Sequence, residues 1–229
     1  MFIARRVLAS GLLGAASLCA QAQSQCFGTV SHGRLEGGVR LPIEGPNFAP
    51  YSLTAAAVGR TYVHSTVAEI FKEAYAGLEE SMPDVAFVYG EAGWRSGGRF
   101  RPHRTHQNGL SVDFFVPVRD AAGRSVPIPT APTNRFGYDL EFNRAGRLGE
   151  LSIDFAALAA HLHQLDMAAR RHGSRLALVI VDPVYIPKLL ATPSGPQIRH
   201  LPYMVGKPWV RHDEHMHVDF VIPCKPLQR

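Results

Sequence analysis

The apolar positions between residues 62 and 222 change period several times, and each period predicts an element. Val67, Ile70, Phe71, Ala74 and Leu78 recur at steps of three and four, the spacing of one helix face. Thr66 with Glu69 three residues later is a capping-box pattern, so the spacing predicts a helix opening there, running through about Glu80 and closed by Pro83. The short apolar run "VAFVY" (85–89) predicts a buried strand. In "LSVDFFVPV" (110–118) the period is two: Leu110, Val112, Phe114 and Val116 take the core face, and Ser111, Asp113 and Phe115 the other. An Ala/Leu-rich stretch over 152–172 predicts a long helix, and "LALVIV" (176–181) a central strand. In the last strand, "HMHVDFVI" (215–222), Met216, Val218 and Phe220 alternate with His215, His217 and Asp219.

Residues 23–60 are rich in Gly and Pro and read as an irregular N-terminal arm, and 119–149 carry turn signals with "YDLEF" as a possible strand. No internal repeat and no linker divides the chain. Helices and strands mixed without a regular βαβ rhythm predict an α+β fold with a mainly antiparallel central sheet and flanking helices. At 46% apolar residues, 19% charged residues and a mean hydropathy near zero, residues 23–229 are expected to form one domain with a full core. The first 22 residues, with Arg5 and Arg6, a short apolar run and "AQA" ending at Ala22, read as an export signal, cleaved near Ala22. That run is too short and too rich in Gly, Ala and Ser for a membrane span.

Without that segment two cysteines are left, Cys26 and Cys224, near the two ends. In an oxidising compartment they can pair, and a bridge closing so long a loop would contribute about 4–5 kcal/mol in the chain-entropy model. Two buried free thiols are the other reading. The net charge of +5 falls to +3 without Arg5 and Arg6 and would suit an anionic extracellular polymer. No basic stripe is interleaved with aromatic residues, which argues against nucleic acid.

An aspartate in the middle of a strand pattern, as at Asp113, must be satisfied by something. With eleven histidines in 229 residues, an H-x-H pair arises readily by chance. His161 and His163 form one inside the predicted long helix, where residues two apart diverge, and they read as ordinary helix residues. His215 and His217 lie on a strand, where residues two apart share a face and can converge on one centre. His106 and Asp113 can meet only if the chain folds back between them, and Asn108-Gly109 is suited to that reversal. Two imidazoles and a carboxylate form a catalytic zinc set with a fourth position for water, placed on one face of the sheet. The chain has no H-E-x-x-H, no G-x-S-x-G and no S-x-x-K, so neither a helix-borne zinc motif nor a serine acyl-enzyme is indicated.

"GGRFRPHRTHQNGLSVDFF" and "KPWVRHDEHMHVDFVIPC" closely resemble the penicillin-insensitive murein endopeptidases, of the wider zinc peptidase group that includes lysostaphin, D-Ala-D-Ala peptidases and the hedgehog domain. The resemblance implies zinc ligands at His106, Asp113 and His217 and a catalytic histidine at His215, with His212 as a further active-site histidine. His103 matches either a more remote metal contact or an outer residue that orients a ligand. "GWRSGG" is similar to the Gly-Tyr-Arg-Ser stretch of the D-Ala-D-Ala peptidases, which implies that Arg95 faces substrate, although Trp94 stands where they have tyrosine. The family's members carry additional disulfides, whereas this chain can make only one.

The implied function is a periplasmic zinc endopeptidase hydrolysing peptidoglycan cross-links at the D-alanyl to meso-diaminopimelyl bond, with zinc-bound water as nucleophile. A D,D-carboxypeptidase or dipeptidase on the same scaffold is one alternative, and a non-catalytic wall-binding module that keeps zinc for stability is another. The oligomeric state is not indicated.

Overall fold

The computed structural model describes residues 23–206 and 208–228; the expected export signal lies outside them. Strands β1 (Gln25–Thr29) and β2 (His32–Glu36) form an antiparallel hairpin, and β3 (Val39–Arg40) pairs with β5 (Tyr62–Val63). Strand β4 (Phe48–Pro50) and the short helix α1 (Leu53–Ala57) lie between them. Helix α2 (Ser65–Ser81) leads to β6 (Phe87–Tyr89), and β7 (Ser111–Phe115) follows after a long loop. Strands β8 (Val118–Arg119), β9 (Ser125–Val126), β10 (Arg147–Leu148) and β11 (Leu151–Ile153) make a small separate sheet. Helix α3 (Phe155–Arg171), β12 (Leu176–Ile180) and the short helices α4 (Ile186–Leu190) and α5 (Gly195–Ile198) precede the last strand, β13 (His215–Phe220).

The central sheet has the order β12-β13-β7-β6-β4, with every pair antiparallel except β4 with β6. This is the expected α+β class. Helices α2 and α3 pack on each other and on the Val112/Phe114 face of the sheet, with the Phe71 and Phe114 ring centroids 6.2 Å apart. Val67, Ile70, Phe71 and Leu78 of α2, with Leu158, Leu162 and Leu165 of α3, are buried there. Each such side chain contributes about 1.5–3 kcal/mol by leaving water. One face of the sheet therefore carries the apolar core, and the other is left for polar side chains.

The structure departs from the sequence expectations at four places. The arm over 23–60 is ordered into the β1–β2 hairpin and into β4, an edge strand of the central sheet. Its Gly and Pro residues mark the turns between short strands. Helix α2 is capped by His64, whose Nδ1 accepts the Thr66 N–H at 3.1 Å, while Glu69 turns outward to Lys72. Strand β12 is an edge strand, although "LALVIV" reads as central, because the 202–204 segment covers its outer edge through Val179. "YDLEF" forms no strand: Phe142 N–H donates to the Asp213 carboxylate, and the Tyr138 hydroxyl is engaged in the site described next.

Cys26 and Cys224 form a disulfide with Cα atoms 4.8 Å apart, joining β1 to the segment after β13. Among the described residues no helix is long and apolar enough to cross a membrane.

Candidate metal centre and active site

Strands β7 and β13 are neighbours, and their register sets His217 opposite Asp113, Phe115 opposite His215 and Ser111 opposite Asp219. Directly opposed residues share a face and have adjacent Cβ atoms. Alternation along each strand and register between them thus bring Asp113, His215, His217 and Asp219 to the face away from the helices. His106 reaches the same place from the β6–β7 loop. The chain reversal falls at the expected Asn108-Gly109 stretch, but the positive φ values belong to His106 (+67°) and Gly109 (+78°). A Cβ on Gly109 would come within 2.8 Å of the His64 nitrogen, so glycine is needed for the approach as well as for the angle. A non-glycine residue with positive φ costs about 1–3 kcal/mol and persists only where its surroundings hold it. His106 is fully buried, and its Nδ1–H donates to the Ala92 carbonyl at 2.9 Å.

That hydrogen bond leaves a lone pair on His106 Nε2. The atom is buried, has no hydrogen-bond partner and lies 3.2 Å from Asp113 Oδ1. Two acceptors so close and so deeply buried favour a positive charge between them, which a metal ion would supply. The neighbouring histidines repeat the arrangement. His217 sets Nε2 against Asp219 Oδ1 and Nδ1 against Asp113 Oδ1, each at 2.9 Å, and the Ser111 hydroxyl donates to Asp219 at 2.5 Å. His103 holds Glu91 through Nε2 and faces Asp113 Oδ2 with Nδ1 at 3.8 Å. His215 holds Glu214 through Nδ1 at 2.9 Å and turns Nε2 to within 4.0 Å of Asp113 Oδ2. An imidazole anchored through one nitrogen, with the other aimed at a centre, is the usual setting of a metal-bound histidine. Ligand atoms of His103, His106 and Asp113 all lie within 4.8 Å of one another, so this group can hold a metal ion.

Electrostatics point the same way. Burial favours the neutral form of Asp113, but the surrounding histidines, His106 and His215 foremost, outweigh it and hold the carboxyl well below its ordinary range. Burial alone would also lower the pKa of His217, but Asp219 and Asp113 raise it to about 10. The pocket is thus built to hold positive charge beside Asp113. Burial and then the neighbouring His215 push His212 down to about 3; its Nδ1–H donates to the Val210 carbonyl at 2.9 Å, and its ring lies 4.6 Å from that of His215.

Tyr138 completes the surround. Its hydroxyl donates to Asp113 Oδ2 at 3.0 Å and accepts the Glu91 N–H at 2.9 Å. Glu91 is also held by Arg60 and by the Tyr51 hydroxyl; although burial opposes it, its bonds to His103 and Arg60 lower its pKa to about 2. All these groups border an open cavity of about 1050 Å³, large enough for a branched peptide.

The family model described as penicillin-insensitive murein endopeptidase matches residues 26–226. The chain belongs to this family. A comparison with curated proteins finds no match. For a murein endopeptidase the substrate is peptidoglycan, and the largely buried His103-His106-Asp113 group beside the cavity is a candidate site for a metal ion.

Of the endopeptidase residues expected from sequence, His103, His106, Asp113, His212, His215 and His217 are all brought to the cavity wall or directly beneath it. Arg95 is exposed and is not among the lining residues, whereas Arg60 is. The other H-x-H pair stays apart: His161 is buried in the helix layer, 4.8 Å from the Phe114 ring, and His163 is half-buried on the same helix. Sequence reasoning passed over Glu91 and Tyr138. Glu91 follows directly on the "VAFVYG" run, and an acid at the mouth of a buried strand is a usable signal. Tyr138 has none, since it lies in a turn-rich stretch and meets Asp113 only through the fold.

Proposed function

We propose that this endopeptidase is a periplasmic zinc enzyme that hydrolyses the D-alanyl to meso-diaminopimelyl amide of peptidoglycan cross-links. The observation that carries the reading is the buried, unpartnered Nε2 of His106 facing the Asp113 carboxylate beside an open cavity. His106 through Nε2, Asp113 and His217 through Nδ1 are the ligands in this reading, with His103 near enough for a further contact. Bound there, zinc would polarise the scissile carbonyl and acidify water.

The chain's own groups supply the rest. His215, held through Nδ1 by Glu214, keeps Nε2 toward the reacting centre. It takes a proton from the attacking water and passes it to the departing amine. His212, with Nδ1–H committed to Val210, presents Nε2 as an acceptor and orients His215 and the water. Tyr138 and Glu91 hold Asp113 and His103 in place. The Cys26–Cys224 disulfide supports an oxidising compartment.

Cleavage of purified cross-linked muropeptides, followed by product mass, tests the reading. Cleavage is expected to continue in penicillin, because the mechanism uses no serine to acylate. It should stop with phenanthroline and return with zinc. His215→Ala should keep its zinc and lose about 100-fold or more in kcat. Inhibition by penicillin without inhibition by chelator, or a His215→Ala enzyme of normal rate, would refute it.

A further inference from the structure

The cavity is lined by five arginines, and three of them are already neutralised. Arg60 is paired with Glu91, Arg135 with Asp139, and Arg211 with Glu141 and Asp213. Arg101 and Arg104 are the two lining arginines that meet no carboxylate among the described residues. Both are exposed, and they flank His103 in the loop that carries His106. Arg104 stands beside Trp209, another lining residue: its guanidinium carbon is 6.0 Å from the indole centroid, and the indole in turn lies 6.1 Å from the His212 ring. Both guanidinium-bearing residues thus line the same cavity as His103, Asp113 and His215. A guanidinium left unpaired in a substrate cleft matches an oxyanion it can bind in bidentate fashion, and in a peptide substrate that anion is a carboxylate.

We propose that Arg101 and Arg104 form a carboxylate-binding subsite that makes the enzyme select cross-links with a free carboxylate beside the scissile amide. This inference rests on the function proposed above. In a D-alanyl to meso-diaminopimelyl bond the scissile nitrogen belongs to an α-amino acid centre, so its α-carboxylate is one carbon from the leaving amine. When that carboxyl is amidated the bond to be broken is unchanged, but the charge that the arginines recognise is gone. The subsite therefore discriminates between two substrates of nearly the same shape by charge alone. Charge-assisted hydrogen bonds of this kind are worth about ten- to a hundredfold in binding.

The test compares kcat/KM for two synthetic cross-linked peptides, one with this carboxyl free and one with it amidated, on zinc-loaded enzyme. The free acid should be cleaved at least about tenfold more efficiently, mostly through KM. In Arg101→Gln/Arg104→Gln the ratio should fall toward one, whereas Arg124→Gln, whose arginine pairs with Asp120 away from the cavity, should leave the ratio as in the unaltered enzyme. Because the ratio is measured within one preparation, partial misfolding of a variant lowers both rates and does not change it. Equal cleavage of the two peptides by the unaltered enzyme, or a ratio that survives in the double variant, would overturn the subsite and leave the endopeptidase reading intact. Cleavage of neither peptide would overturn the endopeptidase reading and the subsite with it.

Discussion

Asp113 is fully buried, yet four histidine rings and a tyrosine hydroxyl are turned toward its two oxygens. The residues that matter most around it act at one remove. Asp219 fixes which nitrogen of His217 is free, and Ser111 fixes Asp219. Asp219→Asn keeps the shape but removes the charge and can present its N–H₂ to the ring, so metal affinity should fall about 10–100-fold. Competition against a chromophoric chelator measures that loss, and an unchanged affinity would mean that His217 needs no orienting partner. Gly90 works by absence: a Cβ there would stand 2.6 Å from the Tyr138 hydroxyl and 3.0 Å from Asp113 Cβ. Gly90→Ala should therefore lower kcat by pushing Tyr138 off Asp113, with little change in melting temperature. Activity at the original level would show that the Tyr138 contact is dispensable.

Among the elements, β7 and β13 do most to assemble the site, because one strand pairing joins chain segments about a hundred residues apart. A slip of one residue in their register would move Asp113 and His217 to opposite faces. The alternation in each strand was readable, since Met216, Val218 and Phe220 could only be core once His215, His217 and Asp219 were set apart. That β7 and β13 are neighbours was not, because long-range pairing leaves no local pattern. The loop bearing His106 is tied from outside: Asn108 Nδ2 donates to Cys224 Sγ at 3.6 Å, and Cys224 is bridged to Cys26 across 198 residues. Removing a cross-link that closes so long a loop costs about 4–5 kcal/mol, or roughly 10 °C in a domain of this size. The double variant Cys26→Ser/Cys224→Ser should melt lower by about that amount and release its metal more readily. Calorimetry and metal analysis after dialysis check both, and coincident melting curves would show that the bridge adds no stability.

At the scale of the molecule the sheet divides two histidine environments. On one side the rings converge on a charge; on the other His161 sits among Tyr75, Phe87 and Phe114 with neither ring nitrogen hydrogen-bonded. Burial lowers its pKa to about 3, against about 6.5 in an unfolded chain. The unfolded state therefore binds the proton more readily. The stability this contributes is complete above pH 6.5 and is lost as the pH falls toward 3, at about 1.4 kcal/mol per pH unit. His161→Leu removes that titration, so its unfolding free energy should fall less steeply than that of the unaltered protein between pH 6 and 4. Urea unfolding at several pH values compares the two, and parallel slopes would mean that folding leaves the protonation of His161 unchanged.

Local order accounts for what could be read from the chain alone. The periods of helices α2 and α3 and of strands β6, β7 and β13, the family resemblance and the histidines destined for the site all depend on residues near one another in sequence. The expectations that needed correction involve partners far away. "LALVIV" has the composition of a central strand but lies at an edge, closed by residues 202–204. "YDLEF" has strand-forming residues, but its tyrosine and its backbone are drawn to Asp113 and Asp213. Glu91, Tyr138 and the unpaired Arg101 and Arg104 acquire their roles only when the β6–β7 loop, the 132–142 segment and the 209–215 segment close around one cavity. The kind of chemistry was carried by residue types at short spacing, and its geometry by contacts between segments whose separation along the chain leaves them no common pattern to reveal.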